Sequence, residues 1–269
     1  MNVVCIGDCG VDRYEPDGSD LAGGISLNVA LRARDAFDPG VRIHLVAPLG
    51  RDGEAKVVLA RLQGVDVDQH FTWLEGRTPV QHIRIEPDGE RVFTRYEEGV
   101  LRDYRVDPDG AGLIGKADLV VAPVFEQNRG MFESVMAIET TGWRAVDFAD
   151  FSERPDFDLL LCYAPRIDIG FFGLQQSQTE LIDALSLLAN ETGMLTVVTT
   201  GSAGSRAFLR GETYTCEAER VPRVLDTTGA GDAFAAAFLA AWLRRQDVDG
   251  ALRAGAALAA LAIRQRGAN

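Results

Sequence analysis

The chain has 269 residues, of which 46% are hydrophobic and 25% charged, the composition of an ordinary globular protein with enough length for a sizeable core. Its formal charge of −13 repels a nucleic-acid backbone or an anionic membrane over most of the surface, so neither nucleic acid nor membrane is expected as a partner and a small molecule is. No apolar run reaches the length of a membrane span, and the start, MNVVCIGDCGVD, has no basic leader before Asp8, which reads as cytoplasmic.

In chain order, VVCIG at 3–7 is the first expected strand, and VDRYEPDG at 11–18 reads as an extended stretch with a Pro-Asp-Gly turn. NVALRARDAF follows as a helix, IHLVAPLG at 43–50 as a strand and EAKVVLARLQG as a helix. TPVQHIRIEPDGERVFTRYEEG, 78–99, holds two β runs around a second Pro-Asp-Gly and predicts a hairpin. Strands are then expected at 118–125, 144–150, 158–164 and 195–201, with the helix SQTELIDALSLLANETG before the last of them. ALRAGAALAALAI at 251–263 reads as a tightly packed, buried helix.

Continuous apolar strands alternating with helices predict an α/β fold, a mainly parallel sheet flanked by helices, in one domain spanning 1–269. The hairpin does not fit that rhythm. It is expected to form a small separate layer, a lid or an interface, with segments at about 11–22 and 78–99.

Cys5, Cys9, Cys162 and Cys216 form no CxxC pair and read as small buried hydrophobes. His44, His70 and His82 are far apart and lack the spacing of a zinc site.

The stretch DTTGAGDAF at 226–234 precedes a long apolar helical pattern, so Gly229, Ala230 and Gly231 lie at a helix N-terminus. Unpaired amides and the positive end of the helix dipole converge there, and glycines let a ligand approach the backbone, which suits an anion such as a phosphate. Asp232 either caps this helix or acts on the ligand. A Walker A loop is excluded by the missing lysine, and the dinucleotide fingerprint GxGxxG is not matched. The remaining reading is a carboxylate beside an anion hole, able to take a proton from an alcohol while amides hold a transferring phosphoryl group.

With these residues in view, the sequence resembles the PfkB, or ribokinase-like, family of carbohydrate kinases. DTTGAGDAF is similar to its C-terminal signature, and IGDCGVD followed by GGISLNVA, LVAPLGRDGEAKVVLARLQGVDV and VVTTGSAGS resemble further family segments in the family's order. The resemblance implies an ATP-dependent sugar kinase with a ribokinase-like fold and a small β lid. It implies Asp232 as catalytic base, with Gly229, Ala230 and Gly231 as anion hole. Asp12, Gly23, Gly24 and Asn28 would bind the sugar, and Thr199, Gly201 and Gly204 the nucleotide, with the small residues near Ala256 bordering adenine. ATP and Mg2+ are the implied cofactors, and a lid shared by two chains would make a homodimer.

Two departures from the family pattern stand out. An Asn-x-x-Glu motif is absent from CYAPRIDIGFFG, leaving the magnesium ligands unassigned, with Glu126 and Asp168 as possible substitutes. The chain given stops at RQRGAN, without the tail that completes a monovalent-cation site in some members, although Asp226 could contribute to one. GERVFTRYEEGVLRDY looks most like members that phosphorylate a fructosamine, the sugar part of a glycated amino acid. Arg95, Tyr96 and Glu97 on the hairpin are candidates for substrate contact, Arg95 foremost, although alternation lets at most about half of such a strand face inward. A kinase for a free ketose, ribose or nucleoside is the alternative, and a non-catalytic sugar or nucleotide sensor on the same fold is a second.

Overall fold

The computed structural model describes residues 1–15, 17–149 and 151–269. Pro16, in the first Pro-Asp-Gly turn, and Asp150, the last residue of the strand expected at 144–150, lie outside the described residues. The chain runs β1 (Asn2–Ile6), β2 (Gly10–Glu15), β3 (Ser19–Gly23), α1 (Ile25–Ala36), β4 (Arg42–Gly50), α2 (Gly53–Leu62), β5 (Asp68–Leu74), β6 (Val80–Ile85) and β7 (Arg91–Glu97). It continues with α3 (Pro108–Ile114), β8 (Leu119–Pro123), α4 (Arg129–Met136), β9 (Trp143–Asp147), α5 (Phe157–Tyr163), β10 (Ile169–Gly173), α6 (Thr179–Thr192) and β11 (Leu195–Thr199). The hairpin β12 (Ser205–Leu209) and β13 (Glu212–Cys216) and the helices α7 (Ala230–Arg245) and α8 (Val248–Ala262) complete it.

Nine strands form one sheet in the order β13-β12-β11-β10-β9-β8-β1-β4-β5. It is parallel from β11 to β5, with β12 and β13 antiparallel at one edge. The apolar runs are continuous because both faces of the sheet are covered. In β1, Val3 and Cys5 enter the core beneath α1, α7 and α8, while Val4 and Ile6 enter the opposite one with Met131 and Val135 of α4.

The expected strand at 158–164 is a correction: residues 158–163 lie in α5, and Ala164 begins the turn that follows it. Asp156 accepts from the Leu159 amide at 2.9 Å as a helix cap, and Leu159 and Leu160 are buried while Leu161 is 53% exposed. A three-leucine run has no periodicity of its own, so the cap decides it. The sheet strand comes later, at β10. Strand β5 had no apolar run to mark it, because it is the partly exposed edge of the sheet.

Strands β3-β2-β6-β7 form a second, four-stranded sheet. Its β6–β7 turn seats on the loop before α7: Thr227 donates its amide to the Gly89 carbonyl at 3.1 Å, and the Arg91 amide donates to the Thr227 hydroxyl at 3.1 Å.

Candidate active site

In parallel α/β sheets, ligands bind beyond the carboxyl ends of the strands. At the end of β1, Asp8 takes the place of a local helix cap: its carboxylate accepts from the amides of Ile25 and Ser26 at 2.9 and 3.2 Å. Those bonds fix the start of α1, and Asn28 one turn in is thereby aimed at the start of α7. Its amide Nδ2 donates to Asp232 at 2.7 Å. Asp232 lies in the first turn of α7, behind Gly229, whose φ of +75° is a left-handed backbone that glycine adopts freely. A Cβ added at Gly231 would meet nothing within 4 Å, so open space lies beside the start of α7, where an anion site would be, while the Ala230 amide donates to the Thr227 carbonyl at 3.2 Å.

Asp12 arrives from the second sheet. It is buried together with Asp8, Asp226 and Asp232. Burial first, and then the charges of Asp232, Asp8 and Asp226, push its carboxyl up to about 8. Asp232 is raised to about 7, again by burial first, while the Asn28 hydrogen bond and the charges of Arg91 and Arg32 pull the other way. At neutral pH Asp232 is therefore divided between acid and base forms. Gly23 on β3 makes room for Asp12: a Cβ there would sit 2.3 Å from the Asp12 Cγ.

Asp226 accepts from the Tyr14 hydroxyl at 2.7 Å, the Thr228 amide at 2.8 Å and the Gly267 amide at 2.8 Å. The tail at 267–269 thus lies against the site. Asn269 donates through Nδ2 to Asn28 Oδ1 at 2.7 Å and to the Ala22 carbonyl at 3.1 Å, and Arg32 holds the Ala268 carbonyl. A chain of amides runs from Asn269 through Asn28 to Asp232.

The second sheet does not present the hairpin residue singled out from sequence. Asp12 and Tyr14 on β2 register with Gln81 and Ile83 on β6, and these with Tyr96 and Phe93 on β7, so all share one face. Arg95 registers with His82, on the other face, where it is 63% exposed and ion-paired with Glu97 beside His82. The register shifts between His82 and Ile83 and leaves Thr94 without a partner. This bulge brings Tyr96 to the same face as Arg91. Strict alternation would have put Arg91 and Arg95 together, so no sequence pattern signalled the change. The Tyr96 hydroxyl is buried with no hydrogen-bond partner among the described residues, and burial with the charges of Asp8, Glu98 and Asp12 holds it well above its ordinary pKa.

Thr199 ends β11 at the same edge of the sheet, followed by the turn Gly201–Ala203 and Gly204. A Cβ on Gly201 would meet only open space. Ala256 is on α8, which packs against β12 and β13, the hairpin leaving that turn. Of the two acids suggested for magnesium, Asp168 precedes β10, at the amino-terminal end of that strand and away from the carboxyl ends beside the start of α7, and accepts from the Arg144 amide at 2.7 Å. Glu126 pairs with Arg154. Where β10 emerges on the site side, Gln178 accepts from the Gln175 amide at 2.8 Å and donates to the Ser152 carbonyl at 2.8 Å. Among the described residues no group of three or more His, Cys, Asp or Glu could hold a metal ion, and no helix is long and apolar enough to cross a membrane.

Comparison with known proteins converges with this geometry. Residues 168–269 match the model of the pfkB family carbohydrate kinases. The chain is 31% identical over 268 residues to fructoselysine 6-kinase of Escherichia coli K12, covering 99% of this chain and 98% of that one. It is 25% identical to a fructosamine kinase of Bacillus subtilis, covering 97% and 90%. The fold is similar to that of the adenosine kinase of Sinorhizobium meliloti, with a TM-score of 0.84, 20% identity and coverage of 100% and 95%. A buried carboxylate at a glycine-led helix start, near-complete alignment with a sugar kinase and a shared fold agree: the chain belongs to the pfkB family of carbohydrate kinases.

Proposed function

We propose that this carbohydrate kinase transfers the γ-phosphoryl group of ATP to the primary hydroxyl of a fructosamine, with Asp232 as general base. The observation that carries the base assignment is the buried Asp232 carboxyl, raised to about 7 and fixed by Asn28 at 2.7 Å beside the open start of α7. Asp232 accepts the hydroxyl proton as the sugar oxygen bonds to the γ-phosphorus. The bond from phosphorus to the β–γ bridging oxygen breaks, and ADP leaves with that electron pair. The amides of residues 229–231 hold the phosphoryl oxygens, and Thr199 with the Gly201–Gly204 turn receives the rest of the nucleotide. A magnesium ion accompanying ATP would neutralise charge on the phosphates.

Asp12, Gly23, Gly24 and Asn28 hold the sugar hydroxyls, and the second sheet acts as a lid whose seating on Thr227 excludes water, the competing acceptor. The fructosamine assignment is supported by the names of the two sugar-kinase relatives. Comparing kcat/KM for fructoselysine, fructose and ribose with MgATP tests it: fructoselysine is expected to lead by about tenfold to a hundredfold, as a few extra contacts would provide. A lead for an unmodified sugar would discard the fructosamine.

The amide chain to Asp232 gives a separate expectation. In Asn269→Ala, Asn28 Oδ1 loses its donor and the Asn28 amide is freer to turn away from Asp232. The loss of one such hydrogen bond, about 0.5–1.5 kcal/mol, should lower kcat two- to tenfold by about that energy. It should also move the rising limb of the pH–rate profile upward, because the bond that favours the Asp232 carboxylate weakens. A lowered rate with an unmoved profile would reduce Asn269 to a packing role.

A further inference from the structure

We infer that the cleft beyond the ends of β8 and β9 is the subsite for the α-amino acid end of the acceptor, an inference that rests on the fructosamine reading. The cleft has a volume of about 230 Å³, with Phe125 and Phe151 among its walls and Glu126, Arg129, Arg154 and Asp156 around it. It adjoins the sugar site directly, because Phe125 meets the ring of Tyr96 edge-on at 5.9 Å between centroids, and Tyr96 shares its face of the lid with Asp12.

The chemistry matches in sequence along the path. When the primary hydroxyl of the sugar meets Asp232, the amine-bearing carbon is at the far end of the acceptor and points away from α7. The amine nitrogen passes Tyr96, whose buried hydroxyl has no partner among the described residues. The methylenes of the arm cross the Tyr96–Phe125 pair and the aromatic wall. The head group carries one carboxylate and one ammonium, and the rim offers both signs: Arg129 bonds Asp156 at 3.1 Å, and Arg154 pairs with Glu126. Each of these side chains is 45% exposed or more. Exposed pairs of that kind are weak, so a zwitterion can open and share them at little cost. Arg95, on the opposite face of the lid, takes no part.

The test compares fructoselysine with a 1-alkylamino-1-deoxyfructose of the same chain length but no α-amino acid head, using kcat/KM for wild type, Arg129→Gln, Arg154→Gln and Arg95→Ala. Wild type should prefer fructoselysine by about tenfold or more. Arg129→Gln and Arg154→Gln should each reduce that preference while turnover of the headless compound stays within about twofold, which also reports that the variants fold. Arg95→Ala should leave the preference intact. Preference retained in both glutamine variants, or lost in Arg95→Ala alone, overturns the subsite while the fructosamine reading stands. A wild type that turns over neither amine-bearing compound better than fructose overturns both.

Discussion

Asp232→Asn will lower kcat by about 10²- to 10⁴-fold, the usual worth of a positioned general base, with ATP affinity nearly unchanged because the amides of residues 229–231 are untouched. The substituted amide oxygen still accepts from Asn28 Nδ2, so the geometry of the α7 start survives and only the proton acceptor is lost. The wild-type pH dependence carries the same signature. On the proposal that the Asp232 carboxylate is the working base, kcat/KM rises with pH and levels off above the Asp232 pKa, raised to about 7. Stability runs the other way. A carboxyl whose pKa is raised by folding, from 3.8 to about 7, leaves the fold most stable below the unfolded value and costs stability as pH climbs through the folded one. The neutral substitution removes that cost, so the variant's Tm at pH 8 should equal or exceed that of wild type. Isothermal titration with ATP, steady-state rates and melting curves at pH 5 and 8 separate these effects. Near wild-type turnover would make Asp232 a helix cap and nothing more.

The architecture was legible because its strands are apolar on both faces and its helices are amphipathic. Residues 3–7, 43–50 and 195–201 needed no tertiary information to read as parallel strands. The α5 segment was misread because DLLLCYA is apolar without a period and the deciding residue, Asp156, stands outside it. Within the candidate site, Asp232 and its glycines announced themselves by local chemistry, a glycine pair before a helix. Arg91 and Asn269 did not, and Tyr96 was read only as one of three hairpin candidates, behind Arg95. Tyr96 and Arg91 share one face of the second sheet through a bulge at Thr94 that ordinary residues build. Asn269 reaches Asn28 across 241 positions of sequence, a distance over which spacing carries no information. Asp8 was hidden for the same reason: it sits just after a strand, and its capping of α1 from 17 residues away exists only in three dimensions.

Gly23→Ala is the sharpest test of how the second sheet delivers Asp12. The ladder pairs Gly23 with Gly10 and Asp12 with Leu21, so Asp12 leans across the position a side chain at 23 would occupy. A methyl group there would lie 2.3 Å from the Asp12 Cγ and 2.3 to 2.4 Å from both carboxylate oxygens, closer than non-bonded atoms approach. Something must move, and the strand β3 backbone is held on both sides of Gly23, by its ladder to β2 and by the α1 start that Asp8 caps. Asp12 is therefore the part that yields. If Asp12 holds the sugar as proposed, its displacement by about 1 Å can cost about 10² in rate through lost alignment of the acceptor. The expected result is a fall of that order in kcat/KM for the sugar, carried by both KM and kcat, with KM for ATP unchanged and the fold intact. Asp12→Ala should lose at least as much. Adding Gly23→Ala to it should lose little further, since the methyl group then has no carboxylate to displace. A Gly23→Ala enzyme with wild-type sugar kinetics would mean that Asp12 does not hold the acceptor, and additive losses in the double variant would mean that position 23 acts by another route.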